Sequence, residues 1–170
     1  AANDGYLLQY VKENKISCYG IEPTKNTALA AREKGIEIIE KFFSEQTATS
    51  LAEQGRKADL MIANNVLAHV PNINDFLKGF KILLKPKGVA TFEFPHLINL
   101  IQYNQFDTIY HEHYSYFSLT ALLTIFKQNG LSVFDVEELS THGGSLRVYA
   151  QCTLTGEHPI IDSVKELELR

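Results

Sequence analysis

The amino-acid sequence predicts an α/β fold in which a mostly parallel sheet ends in an antiparallel hairpin. Short apolar runs alternate with helical segments along most of the 170 residues, as expected for a sheet covered by helices. The run 58–63 (ADLMIA) is apolar throughout, which is typical of a parallel strand buried on both faces. The last predicted strands, 131–136 and 145–151, are joined by a link too short for a helical crossover, and we therefore expect them to be antiparallel.

Further elements are predicted in the first half of the chain from hydrophobic periodicity and end signals. Helices are expected over 6–14 and 26–34, and strands over 17–22 and 36–43. Gly35 directly follows the second of these helices and is its predicted stop signal.

Two more helices and one more strand are predicted in the second half of the chain. One helix is expected to begin at a cap over 74–75 and to end before Pro86, since proline cannot continue it. A strand over 89–94 follows, and the aromatic segment 99–116 is expected to be irregular. Ser118 is the predicted cap of the last helix before the hairpin.

Composition restricts the classes of function. Hydrophobic residues make up 45% and charged residues 21%, which is typical of a globular domain with a core. The net charge of −4 argues against nucleic acid as a partner, and no apolar run reaches the roughly 20 residues that span a membrane. Because no signal peptide is present, we expect a cytoplasmic location. Cys18 and Cys152 are far apart in apolar runs and are expected to be buried free thiols.

A nucleoside site is indicated near the beginning of the sequence. Ligands of open α/β sheets bind at the carboxyl ends of strands, and Asn3, Asp4 and Gly5 open the first predicted helix there. Glu22 ends the following strand, where a carboxylate can accept hydrogen bonds from both hydroxyls of a ribose. Taken singly, Asn3, Asp4 and Gly5 could form a plain turn, and Glu22 could be a surface acid.

Polar residues also follow the ADLMIA strand. Asn64, Asn65 and His69 lie in the segment 64–71 (NNVLAHVP) and can donate hydrogen bonds into a cleft. Asparagine is equally a common turn residue, and a turn is the alternative interpretation.

The segment 110–117 (YHEHYSYF) concentrates groups suited to acid–base chemistry. It holds two histidines, one glutamate and three tyrosines, and imidazole titrates near neutral pH. His111 and His113 have the spacing of two metal ligands, but no further cluster completes a tetrahedral set, so no metal site is predicted. A hydrogen-bonded polar network without chemistry is the other alternative.

Together these segments resemble one family, the S-adenosylmethionine (AdoMet)-dependent C-methyltransferases that act on nucleotide-linked deoxysugars in the biosynthesis of unusual bacterial sugars. The resemblance extends from Ala1 to about Tyr149. It rests on N-D-G-Y-L-L-Q, G-I-E-P, N-N-V-L-A-H-V-P, E-F-P-H, Q-F-D-T-I-Y-H-E-H-Y-S-Y-F-S and T-H-G-G-S-L-R-V-Y. The longest of these stretches, from Gln105 to Ser118, carries most of the weight.

The resemblance implies a Rossmann-like class I methyltransferase fold and a catalytic mechanism. The implied base is His113, supported by Glu112, with Tyr110 and His69 near the sugar. The implied substrate is a nucleotide-linked 4-keto sugar, whose enolate carbon attacks the methyl group of AdoMet. The implied contacts to AdoMet are Asn3, Asp4, Gly5, Glu22 at the ribose, Pro23, Phe43 near the adenine, Asn64, Asn65 and Leu67.

The sequence departs from the family's pattern at its beginning. The family's first strand and its upstream zinc-binding domain have no counterpart in the sequence, so zinc is implied only for that domain. Ala1 stands where the family usually has glycine. We therefore expect 1–153 to form a methyltransferase domain with a gap in its sheet, and 154–170 to begin a C-terminal extension. The chain by itself is expected to be inactive or weakly active.

Two other functions remain open from the sequence. One is an O- or N-methyltransferase of the same fold acting on another small molecule, because fold does not determine function. The other is a non-catalytic nucleotide-binding module, although the sequence lacks the G-x-G-x-x-G of dinucleotide-binding folds. The role of the loop from His142 to Arg147 is open as well, between substrate contact and a simple turn.

Overall fold

The structure is a computed structural model that describes residues 1–168. The helices are α1 (Tyr6–Glu13), α2 (Lys25–Glu33), α3 (Glu45–Glu53), α4 (Ile73–Leu83), α5 (Leu97–Gln102), α6 (Leu119–Gln128) and α7 (Asp162–Glu168). The strands are β1 (Tyr19–Ile21), β2 (Glu37–Ile39), β3 (Ala58–Asn64), β4 (Leu84–Pro95), β5 (Leu131–Leu139) and β6 (Ser145–Cys152).

The strands form two sheets. β1 pairs with β2 in parallel, and the other sheet has the order β3-β4-β6-β5. β3 and β4 are parallel, whereas β6 is antiparallel to both β4 and β5. The predicted antiparallel hairpin at the end of the sheet is thus confirmed. Within residues 1–168, β1 and β3 form no ladder with each other.

Strand β3 is less buried than its apolar sequence predicted. Met61 and Ala63 pack into the hydrophobic core, but Leu60 and Ile62 are 55% and 39% exposed. Successive side chains of a strand point to opposite faces, so one face of β3 is covered and the other is open. The prediction of burial on both faces was wrong for the face that carries Leu60 and Ile62, because no element of the described residues packs there.

The start of α4 and the start of β4 differ from expectation. α4 is capped by Asn72, whose side-chain oxygen accepts a hydrogen bond from the backbone N–H of Asp75, and not by residues 74–75. The helix does end before Pro86. β4 begins directly after it, so Pro86 and Gly88 lie in an irregular first part of the strand, where its register with β3 shifts.

No helix was predicted from the sequence at α3, α5 or α7, whereas the cap of α6 was predicted correctly. α3 was assigned no structure, although Ser44 caps it by accepting a hydrogen bond from the N–H of Thr47. The segment 99–116, expected to be irregular, contains most of α5 and a 3₁₀ turn at Phe106–Thr108. Ser118 caps α6 as predicted, since its hydroxyl accepts a hydrogen bond from the N–H of Ala121.

The main core lies between the four-stranded sheet and the helices α4 and α6. Phe92 of β4 is fully buried, with ring centroids 4.6 Å from Phe80 and 4.9 Å from Phe126. Val164 of α7 is buried in the same core, so α7 packs on this sheet through β5. The predicted domain boundary between 153 and 154 stays a prediction, and residues 169 and 170 of the predicted extension lie outside the described residues.

The structure also bears on two expectations from composition. Among residues 1–168, no helix is long and apolar enough to cross a membrane. Both cysteine thiols are free, but only Cys152 is buried, whereas Cys18 is partly exposed. Burial raises the pKa of the Cys152 thiol, which keeps it protonated and unreactive at neutral pH.

Candidate functional site

The loop before α1 is held against the end of β1 by the carboxylate of Glu22. The backbone N–H of Asn3 donates to Oε2 at 3.1 Å, and the N–H of Thr24 donates to Oε1 at 3.0 Å. Glu22 is only 5% exposed, and Asn3 has a left-handed backbone with φ of 53°. A carboxylate has about four acceptor positions, so about two remain for the hydroxyl groups of a ligand.

Asp4 and Gly5 complete this loop. The carboxylate of Asp4 accepts a hydrogen bond from the N–H of Tyr6 at 3.1 Å and pairs with Nζ of Lys34 at 2.7 Å. The hydrogen bond from Lys34 lowers the pKa of Asp4. Gly5 has φ of 76°, and a Cβ at this position would clash with Cδ1 of Ile36. The positive φ favours glycine at this position, and a larger residue would also require the side chain of Ile36 to move.

The two remaining residues expected beside the cofactor in this half are Pro23 and Phe43. Pro23 is half-buried directly after Glu22. The ring of Phe43 packs edge to face on Phe76 and Phe80, at centroid distances of 5.4 and 5.2 Å. Its described contacts are therefore with the core around α4, and the adenine contact stays a prediction.

The residues expected to line the cofactor pocket after β3 have different environments. Asn64 is exposed at the end of the strand, opposite Glu93 of β4 in the register. Asn65 has φ of 53°, and its N–H donates to the carbonyl of Glu93 at 2.8 Å. Leu67 is fully buried in the main core. Its contact with the cofactor therefore stays a prediction.

His69 joins the 3₁₀ turn at Leu67–His69 to the histidine-rich segment. Its Nδ1 lies 3.2 Å from the carbonyl oxygen of Glu112, and the N–H of Tyr114 donates to the carbonyl of Ala68 at 2.8 Å. The imidazole rings of His69 and His113 are 4.6 Å apart between centroids. Two segments that are distant in sequence therefore meet at a pair of histidines.

His113 is surrounded by aromatic rings. Tyr110 and Tyr116 lie 5.0 and 5.5 Å from its ring, in addition to His69. Within residues 1–168 its Nδ1 is buried without a hydrogen-bond partner. Burial lowers the pKa of His113 most strongly, the charge of His69 lowers it further, and Glu112 opposes both. The imidazole is therefore held neutral and able to accept a proton.

A cavity of about 330 Å³ lies beside this histidine. Two of the predicted catalytic residues, Tyr110 and His113, line the cavity. His69 does not line it but contacts the ring of His113. Glu112 is exposed, and its backbone carbonyl lies within hydrogen-bond distance of His69. The lining of the cavity comprises Pro95, Gln105, Asp107, Thr108, Tyr110, His113, His142 and Gly143. The predicted cofactor residues do not line this cavity.

Several lining residues were given no role by the sequence. Gln105, Asp107 and Thr108 lie in the long matching stretch that ends at Ser118, which was the available signal. His142 was left undecided between a substrate contact and a turn, and only the tertiary structure brings it beside His113.

The alternative that the histidine-rich segment binds a metal ion depends on how the possible ligand side chains are arranged. Among the described residues 1–168, no group of three or more His, Cys, Asp and Glu side chains is arranged to hold a metal ion. His111 and His113 thus have no third protein ligand in this part of the chain, and His111 is exposed.

Sequence comparison identifies the family. The family described as a methyltransferase domain matches residues 2–136. The chain belongs to this methyltransferase domain family. It is 36% identical over 166 residues to C-methyltransferase NovU of Streptomyces niveus, a match that covers 98% of this chain and 39% of NovU. The methyltransferase domain described here thus spans about two fifths of the length of that relative.

Solved structures agree on the fold of this methyltransferase domain. Magnesium protoporphyrin IX methyltransferase from Synechocystis PCC 6803 with bound SAH has a TM-score of 0.66 at 16% identity, covering 88% of this chain and 70% of that one. A SAM-dependent methyltransferase from Methanosarcina mazei has a TM-score of 0.68 at 16% identity, covering 89% of each chain. These similarities confirm the predicted Rossmann-like fold of AdoMet-dependent methyltransferases.

Proposed function

We propose that this methyltransferase domain is the cofactor-binding and catalytic part of an AdoMet-dependent C-methyltransferase that acts on a nucleotide-linked keto-deoxysugar. The observation that carries the proposal is the neutral, partly buried imidazole of His113 at the wall of a cavity. Carbon methylation next to a carbonyl requires a base that is unprotonated at neutral pH. The similarity to a relative named as a C-methyltransferase supports the same reaction.

The residues at the end of β1 fit AdoMet. The carboxylate of Glu22 is fixed in place by two backbone N–H groups and still has acceptor positions for a ribose. The bound cofactor supplies an electrophilic methyl group. We assign its binding to the set predicted from the sequence, namely Asn3, Asp4, Gly5, Glu22, Pro23, Phe43, Asn64, Asn65 and Leu67.

We assign proton abstraction to Nε2 of His113. Its Nδ1 has no accessible surface, so Nε2 is the nitrogen available to a ligand. The C–H bond next to the substrate carbonyl would break, and its proton would move to Nε2. The electron pair left on carbon would form the new carbon–carbon bond to the methyl group, while the bond from that methyl group to the sulfur of AdoMet breaks and its electron pair stays on sulfur. We assign stabilisation of charge on the carbonyl oxygen to the phenol of Tyr110, and we assign His69 a position near the sugar. Glu112 favours the protonated form of the His113 imidazole.

Hydrogen exchange tests this assignment without requiring methyl transfer. The complete natural protein would be incubated in heavy water with S-adenosylhomocysteine and a panel of nucleoside-diphosphate-linked 4-keto-6-deoxyhexoses carrying thymine or uracil. We expect NMR to show deuterium entering the carbon next to the carbonyl, and His113→Ala to slow this by about 100-fold or more. The exposed neighbour variant His111→Ala is the matched control and is expected to retain the rate.

The same panel with AdoMet separates the alternatives. A product methylated on oxygen or nitrogen would contradict the proposal and would favour an O- or N-methyltransferase. Absence of binding of both AdoMet and S-adenosylhomocysteine, measured by calorimetry, would favour a non-catalytic module.

Two further assignments belong to this proposal. We place the boundary of the methyltransferase domain at residue 153, with an extension beginning at 154. We also propose a cytoplasmic location, because AdoMet and nucleotide-linked sugars are metabolites of the cytoplasm.

A further inference from the structure

The loop between β5 and β6 has an unusual backbone where it reaches the cavity. His142 has φ of 52° and ψ of 38°, in the left-handed region that residues with a Cβ rarely adopt. Gly143 and Gly144 follow with φ of 75° and 114°. A turn alone would be built at lower cost with glycine or asparagine at position 142. Histidine is one of the residues that adopt this region more often than most, so the contacts of the side chain, rather than the backbone alone, indicate a role beyond the turn.

One side of the loop is held by a buried carboxylate. The hydroxyl of Thr141 donates to Oε1 of Glu93 at 3.2 Å, and the guanidinium of Arg147 donates to Oε2 at 2.8 Å. Glu93 is buried, whereas Thr141 is exposed and Arg147 is partly exposed, so both hydrogen bonds are partly shielded from water. The hydroxyl of Ser145 donates to the carbonyl of Thr141 at 3.1 Å and closes the turn. These contacts fix the backbone directly before His142.

The other side of the loop is held by the segment that lines the cavity. The side-chain amide of Gln105 donates to the carbonyl of Gly143 at 2.7 Å, and the N–H of His96 donates to the carbonyl of Gly144 at 3.0 Å. A Cβ at Gly144 would clash with the amide nitrogen of Asn99. The left-handed conformation of His142 is thus imposed by contacts on both sides, as is found at strained functional positions.

The imidazole of His142 retains a hydrogen-bonding group for a ligand. Its Nε2 lies 3.4 Å from the amide nitrogen Nδ2 of Asn65. An amide nitrogen donates, so Nε2 accepts and the proton of the neutral ring lies on Nδ1. Among residues 1–168, no hydrogen bond forms at Nδ1. An exposed donor therefore remains on a ring that lines the same cavity as His113 and Tyr110.

We propose that His142 is a substrate-binding residue, whose imidazole donates a hydrogen bond to an oxygen of the sugar and orients its reacting carbon toward His113. This inference rests on the proposed function and adds a specific contact to it. Asn65, assigned to the cofactor, orients the ring from its other nitrogen. The side chain of His142 thus connects the cofactor-binding residues with the substrate cavity, and substrate affinity depends on it more than cofactor affinity does.

Three substitutions separate a substrate contact from a turn. Steady-state kinetics of the complete natural protein would use saturating AdoMet and the panel sugar that is methylated fastest. We expect His142→Gly and His142→Ala to raise KM for the sugar about 10-fold, the effect of one lost hydrogen bond. His142→Asn keeps a donor and tolerates the left-handed backbone, so its KM should remain within about 3-fold of the natural value. The affinity for S-adenosylhomocysteine should change by less than about 2-fold in all three.

Lys15→Gly is the matched control. Lys15 has φ of 59° in an exposed turn, so glycine relieves the same backbone conformation away from the cavity and should leave KM unchanged. If His142→Gly has the same KM for the sugar as the natural protein, the inference is overturned and the loop is a simple turn. The proposed function would still stand. If the natural protein methylates no sugar of the panel, the proposed function is overturned and this inference with it.

Discussion

The imidazole rings of His69 and His113 meet edge to face, with their centroids 4.6 Å apart. A positive charge on one ring disfavours a charge on the other. Burial is the larger cause of the lowered pKa of His113, and His69 adds to it. The pair therefore favours a neutral His113, the form in which an imidazole acts as a base.

The pH dependence of the reaction should report this pair. Because the pKa of His113 is lowered, we expect kcat/KM to rise with pH along an acid limb that lies below about 6.5, the ordinary value for histidine. His69→Ala removes one cause of the lowering, so the limb should move upward toward the ordinary value. Rates measured from about pH 4.5 to pH 8 would show this, and a limb that stays in place would contradict electrostatic coupling between the rings.

Glu22 should control affinity for the cofactor. Glu22→Ala removes the carboxylate assigned to the ribose, and we expect the Kd for S-adenosylhomocysteine to rise at least about 10-fold in calorimetry. The same change leaves the N–H groups of Asn3 and Thr24 without acceptors, at a cost of about 1 kcal/mol or more each in folding free energy. The control is Glu40→Ala, which removes an exposed carboxylate after β2. Equal binding by the two variants would remove Glu22 from the site.

Glu93 should stabilise the loop that carries His142. Glu93→Gln weakens the hydrogen bonds to Arg147 and Thr141, and we expect a loss of about 1–3 kcal/mol in folding free energy and a higher KM for the sugar. Glu137 is the second carboxylate near Arg147, at 3.5 Å, and it is exposed. Glu137→Gln is therefore expected to cost less than about 1 kcal/mol. Urea unfolding of both variants gives the comparison, and similar losses would show that burial of Glu93 does not matter.

The main core should depend strongly on Phe92. Its ring is fully buried between Phe80 and Phe126, and Phe92→Ala is expected to lower the free energy of unfolding by about 3–5 kcal/mol. Phe106→Ala is the control, because Phe106 is 79% exposed and its removal should change stability by about 0.5 kcal/mol or less. A small effect at Phe92 in urea unfolding would indicate that the core around it is loosely packed.

Local sequence information was sufficient for most helices and strands. The periodicity of α6 and its cap at Ser118 lie within a few residues of each other, and the short link between β5 and β6 allowed only an antiparallel pair. The same information failed at α3, at α5, which has six residues and begins two residues after the last residue of β4, and at α7. It also misplaced the cap of α4, since several polar residues there could serve equally well.

The sequence by itself determined the fold class, the place of Glu22 at the end of a strand and the concentration of acid–base groups around His113. These features depend on residue type and on spacing along the chain. Only the tertiary structure decided that Leu67 is fully buried, that Leu60 is exposed and that His142 lines the cavity. Burial and meetings between distant segments depend on how whole elements pack against one another, and local periodicity carries no information about that packing.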